Sequence, residues 1–206
     1  MKSILYFLII VSILFSGCTD KPKDRYDEFY VVLDDIMRIS YSDADVIIPE
    51  LMKVMKPAYE PNDSTPPSPP PGIGSIHYDK RMFRHFIEDK LLDSSEVEYM
   101  YKQIGTLKDY TLDTSRIEKP CFSNVILDSV FRTNGDLSGA YDILESKYHA
   151  SSFIRISNPL ISEDGNKMLF DIETYCGSQC GGGVTYLVEK KNGKWRVISS
   201  FGTWIS

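Results

Sequence analysis

From Phe153 to the C-terminus apolar residues recur at every second position, and this period constrains the fold more than any other feature of the chain. Met168, Phe170, Ile172 and Thr174 alternate with Leu169, Asp171, Glu173 and Tyr175. Val184, Tyr186 and Val188 alternate with Thr185, Leu187 and Glu189. Successive side chains of a strand point to opposite faces, so each set defines one face of a sheet. Phe153-Ile154-Arg155-Ile156-Ser157 is an earlier run that stops before Pro159. Asp164-Gly165 and Asn192-Gly193 are dipeptides that close tight hairpins, and Trp195, Val197, Ser199 and Phe201 follow the second. The pattern predicts an antiparallel meander of about four strands with one buried face. On that reading Asp171 and Glu173 belong to the wet face.

Upstream the period is helical. Asp27 and Glu28 precede Phe29, Val32, Leu33, Ile36, Met37 and Ile39, which places acids in the first turn of a helix. Val46, Ile47, Ile48, Leu51, Met52, Val54 and Met55 form a second apolar segment, read as a helix beginning near Pro49 with Glu50 in its first turn. Residues 57–74 hold Pro57, Pro61, Pro66, Pro67, Pro69, Pro70 and Pro71. A run without amide donors and with fixed φ forms neither helix nor central strand, so this is an exposed excursion. Met82, Phe83, Phe86, Ile87, Leu91 and Leu92 restore helical spacing. Asp93-Ser94-Ser95-Glu96 resembles a capping box opening a helix through Val97, Met100, Tyr101 and Ile104, with Gly105 as its stop. Val125-Ile126-Leu127 reads as a strand. Asn134-Gly135-Asp136 turns into a helix bearing Leu137, Tyr141, Leu144 and Tyr148. The expected fold is therefore α+β, one domain over 25–206, with N-terminal helices on one face of a C-terminal antiparallel meander.

The chain opens with Lys2 and an apolar run from Ile4 to Phe15 interrupted only by Ser12. As a helix it spans about 18 Å, short of the roughly 30 Å hydrocarbon core, so it reads as a signal peptide over 1–17. Phe15-Ser16-Gly17-Cys18 follows. It resembles a bacterial lipobox, with small residues at the two positions before the cysteine and Phe15 in place of the usual Leu. The resemblance implies cleavage before Cys18, lipidation of Cys18, and a polar tether over 18–24. Thr19, where lipoproteins kept at an inner membrane often carry Asp, favours the outer membrane if the host has one. Each buried CH₂ of an acyl chain is worth about 0.8 kcal/mol, so such chains hold a protein firmly on a membrane.

A second resemblance lies at the other end. Tyr175-Cys176-Gly177-Ser178-Gln179-Cys180-Gly181-Gly182-Gly183, Tyr186-Leu187-Val188-Glu189-Lys190, Gly193-Lys194-Trp195 and Thr203-Trp204-Ile205-Ser206 are similar to the C-terminus of a group of small uncharacterised bacterial lipoproteins. The 96–104 helix extends the likeness. The group supplies no activity to carry over. Antiparallel endings of this kind also resemble the cone-shaped sheets of the nuclear-transport-factor type, by analogy of fold alone.

Three cysteines remain after Cys18. In an oxidising compartment Cys176 and Cys180 are disulfide candidates across a Gly-rich hairpin, with Cys121 as the alternative partner of either. Free thiols, and a zinc site joining them to Cys121 and His149, are the competing readings. Gly181-Gly182-Gly183 reads as a bulged connection rather than a phosphate cradle, since a strand and not a helix follows. His77, His85 and His149 lie on or beside amphipathic helices. No Gly-x-Ser-x-Gly, HExxH, EF-hand loop or dinucleotide fingerprint occurs, so the sequence assigns no catalytic residue, metal or cofactor. The thirteen tyrosines and ten phenylalanines are read as core. A formal net charge of -6, with no basic run beyond a pair, speaks against a nucleic-acid partner. The expectation is a membrane-anchored envelope lipoprotein, a non-catalytic module for an unknown protein or small-molecule ligand. The alternative is an envelope hydrolase using Asp171 and Glu173, or a histidine, as acid and base.

Overall fold

A computed structural model describes residues 24–56, 75–78, 80–134 and 137–206. The signal peptide, Cys18, most of the tether and the Pro-rich excursion at 57–74 lie outside the described residues. The chain is α+β. Its strands are β1 (Val46–Ile47), β2 (Lys53–Met55), β3 (Ser75–His77), β4 (Phe153–Ile156), β5 (Leu160–Ile161), β6 (Lys167–Gly177), β7 (Cys180–Lys191) and β8 (Lys194–Ile205). Its helices are α1 (Asp27–Ser40), α2 (Lys80–Glu88), α3 (Ser94–Gln103), α4 (Asn124–Asn134) and α5 (Leu137–Tyr148). Among the described residues no helix is long and apolar enough to cross a membrane.

The main sheet runs β1-β4-β6-β7-β8, with β5 also paired to β6. β4, β6, β7 and β8 are antiparallel neighbours, as the alternation implies, and β1 adds a parallel edge to β4. Asn192 at φ 54° and Gly193 at φ 76° give the last hairpin the two positive-φ residues its tight turn requires. α3 starts on a complete capping box: Asp93 Oδ1 accepts the Glu96 N–H at 2.8 Å and Glu96 Oε2 accepts the Asp93 N–H at 2.8 Å.

Two local expectations are corrected. The segment read as a helix from Pro49 is extended. Its amides bond along β4, from Ile48 to the Ile154 carbonyl at 2.9 Å and from Met52 to that of Ile156 at 2.7 Å. On the other side the Leu51 N–H reaches the Tyr110 carbonyl at 2.9 Å. A short apolar run fits helix or strand by periodicity alone, and here pairing partners on both sides decide. Conversely, Val125-Ile126-Leu127 is not a strand but the first turn of α4. Leu127 and Val130 are buried at helical spacing while Val125 is 76% exposed.

The larger correction concerns the layers. α1 packs Phe29, Leu33, Ile36 and Met37 against Met168, Phe170 and Ile172 of β6 on one face. Phe29 meets Phe170 edge-on at 5.1 Å, and Glu28 ties the helix to the last hairpin through Lys190 and the Trp195 indole, both at 2.8 Å. The opposite face is covered as well. α2 and α3 lay Phe83, Phe86 and Met100 over Leu169 and Leu187, and the α4–α5 hairpin packs Leu127, Val130, Ala140 and Leu144 around Val46 and Phe153. Helices therefore sit on both faces of the sheet, not on one.

Candidate functional site

Along the covered face β6 carries Leu169 under the α2–α3 cluster, then Asp171 and Glu173, then Tyr175 against the α4–α5 cluster. The two acids occupy the seam between the helical pairs. They are 0% and 5% exposed, so the wet-face reading is overturned. Their polarity is met from inside. The Thr185 hydroxyl donates to Asp171 Oδ1 at 2.6 Å. The Tyr175 hydroxyl donates to Glu173 Oε2 at 2.7 Å and the Trp204 indole N–H to its Oε1 at 3.1 Å. Asp171 Oδ2 and the fully buried Tyr78 hydroxyl face one another short of hydrogen-bond geometry. Burial pushes the Asp171 carboxyl up to about 7; the Thr185 and Tyr78 hydroxyls oppose that shift and the Glu173 charge adds to it.

The hairpin β6–β7 is longer than the sequence suggests, because β7 begins at Cys180 and Gly181, Gly182 and Gly183 lie inside it. A Cβ on Gly183 would stand 2.6 Å from the Trp204 Nε1, and one on Gly181 2.9 Å from the far edge of the same ring. The glycines make room for Trp204 to lie across the strand and reach Glu173. Gly177, at φ 150°, makes the curl of the tip. A disulfide joins Cys176 and Cys180 across it, Cα–Cα 5.0 Å, and Cys121 is a free thiol whose pKa burial raises.

The histidines do not converge on these acids. His85 is exposed beside Glu88 at 3.7 Å, His149 follows α5 at φ 54°, and His77 lies in β3. Among the described residues no cluster of three or more His, Cys, Asp or Glu could hold a metal ion. The zinc reading of Cys176, Cys180, Cys121 and His149 therefore has no geometric support, and two of its sulfurs are already bonded to each other.

A concave site lies elsewhere, where α1 faces residues 112–120. Its volume is about 350 Å³, inside the range usual for small-molecule pockets. Leu33, Met37, Ile47, Leu112 and Ile156 line it with apolar surface. Local chemistry holds the wall rigid. The Tyr30 hydroxyl accepts the Asp113 N–H at 2.6 Å, and the Arg116 guanidinium stacks on the Tyr30 ring at 3.7 Å while pairing Asp27 at 2.8 Å. Lys119 spans the mouth to the carbonyls of Ser42 at 2.9 Å and Ala44 at 2.7 Å. Sequence reasoning missed Arg116 and Lys119, because residues 110–121 carry no periodic pattern that would place them against α1, and it passed over Tyr30 because an aromatic residue in a helical segment reads as core. No protein-family model, curated protein or solved structure matches this chain.

Proposed function

We propose that this chain is a lipid-anchored module of the cell envelope that binds a small molecule of apolar body between α1 and residues 112–120. The cleft carries the reading. An apolar floor with a few immobilised polar groups at its rim suits a ligand held mainly by desolvation and oriented by Arg116 and Lys119. The anchor rests on the sequence: Lys2, the apolar run and Ser16-Gly17-Cys18 support removal of 1–17, acylation of Cys18, and the membrane as a partner. Thr19 favours the outer membrane where the host has one. The acidic balance speaks against nucleic acid. The hydrolase alternative is less well supported, since its acids are sealed in the seam and the Glu173 oxygens are engaged by Tyr175 and Trp204.

Two experiments test the two halves. Metabolic acyl labelling is expected to mark the wild type and not Cys18→Ala; an unlabelled wild type removes the anchor. Native mass spectrometry of the full chain from its own membranes is expected to show a small-molecule adduct. Ser42→Trp, which blocks the mouth without entering the core, should remove it. An adduct indifferent to that change, or no adduct, counts against the cleft.

A further inference from the structure

Arg155 interrupts the apolar run of β4 and is 5% exposed. Its Nε is buried without a hydrogen-bond partner, and none of the described residues closes an ion pair on it. Its cross-strand neighbour is Glu173, whose charge lies near, but both Glu173 oxygens are turned to Tyr175 and Trp204. Glu173 thus eases the burial of the guanidinium without filling its donors. A buried, hydrogen-bond-starved arginine is costly to keep, and native interiors rarely leave one so. This one lines a second cavity of about 380 Å³, apart from the α1 cleft.

The rest of that cavity says what would fit. Leu51, Leu127, Phe131 and Phe153 give it apolar walls. The other lining charges are already matched: Lys53 holds Asp109 at 3.0 Å, and Asp128 is held by Arg132 at 3.5 Å, all with exposed side chains. Arg155 alone has an open fork. A planar guanidinium matches a carboxylate through two parallel hydrogen bonds, and does so best away from water. The acids at the mouth disfavour a dianion. We propose that the Arg155 cavity binds a small monocarboxylate whose apolar portion lies between α4 and β4. It is a site separate from the one under α1 and does not depend on it.

Isothermal titration of the full chain with phenylacetate tests this, with phenylacetamide and inorganic phosphate as matched controls. Phenylacetate is expected to bind, and each control at least about tenfold more weakly, because only the carboxylate fills the fork without a second charge. Arg155→Met should weaken phenylacetate at least about tenfold; it also leaves the buried Glu173 without its positive neighbour, so the melting temperature is measured beside the affinity. If Arg155→Met melts early, Arg155→Lys carries the test: it keeps the charge, loses the fork, and should still weaken binding about tenfold. Lys102→Gln, in an exposed pair with Glu98 on α3 and outside the cavity lining, should leave binding within about threefold. No heat from phenylacetate up to ~10 mM would overturn the proposal. So would equal binding of the amide or phosphate, or unchanged affinity in the folded Arg155 variants.

Discussion

Asp171→Asn isolates the energetics of the sealed seam. The carboxyl titrates at about 7 in the folded chain against 3.8 when free. The native state therefore holds the proton more tightly than the unfolded one. That stabilisation is fully present below about pH 4 and is lost as pH rises to about 7. At ~1.4 kcal/mol per pH unit the full difference is about 4 kcal/mol, and total burial leaves little solvent screening to reduce it. Asparagine cannot ionise, and its carbonyl still accepts from Thr185. The variant should exceed the wild type by only about 1 kcal/mol at pH 4.5 and by up to about 4 kcal/mol at pH 8. Urea unfolding of both proteins across that range measures the difference. If the two stability curves stay parallel from pH 4.5 to 8, Asp171 ionises as in water and the seam is not dry.

Three further changes probe the architecture. Gly183→Ala drives a Cβ into the Trp204 indole, so it should break the contact with Glu173 and cost about 1–3 kcal/mol, seen by thermal unfolding and a shift in tryptophan emission. Val125→Asp should be nearly silent while Val130→Asp, 6% exposed, should cost ~3 kcal/mol or more in chemical denaturation; equal effects would argue for the strand reading of that segment. Replacing Cys176 and Cys180 together by Ser should cost about 1–3 kcal/mol, because so short a loop removes little entropy from the unfolded chain. Hydrogen exchange should loosen at the β6–β7 tip and stay unchanged in α2 and α3.

The fold was legible wherever one period ran long enough to define a face. α1 shows six buried residues at helical spacing, and the β6 alternation fixes register against β7. Asp93 and Glu96 announce the start of α3 because a capping box is a local device. Legibility failed where the deciding partners are distant. Residues 46–55 are extended because β4 and residues 110–112 flank their first part and β3 pairs with 53–55, and none of these neighbours leaves a mark on the segment itself. Leu169 between Met168 and Phe170 was the visible clue that both faces of β6 are buried. The acids beyond it masked that clue, since a carboxylate ordinarily signals water, and their donors Thr185, Tyr175 and Trp204 come from other positions along the hairpins. Arg155 was likewise visible as a lone charge in an apolar run, but its open fork is a property of three strands and a helix together.

Methyl-labelled methionine offers the most direct reading of the binding claim. Met37 lines the cleft under α1, whereas Met100 lies with the opposite helical layer at 0% exposure. On titrating the full chain with a small-molecule extract of its own envelope, the Met37 signal is predicted to shift and saturate while Met100 stays fixed. The shift should vanish in Ser42→Trp. A Met37 signal that does not move, or one that moves together with Met100, would contradict the account.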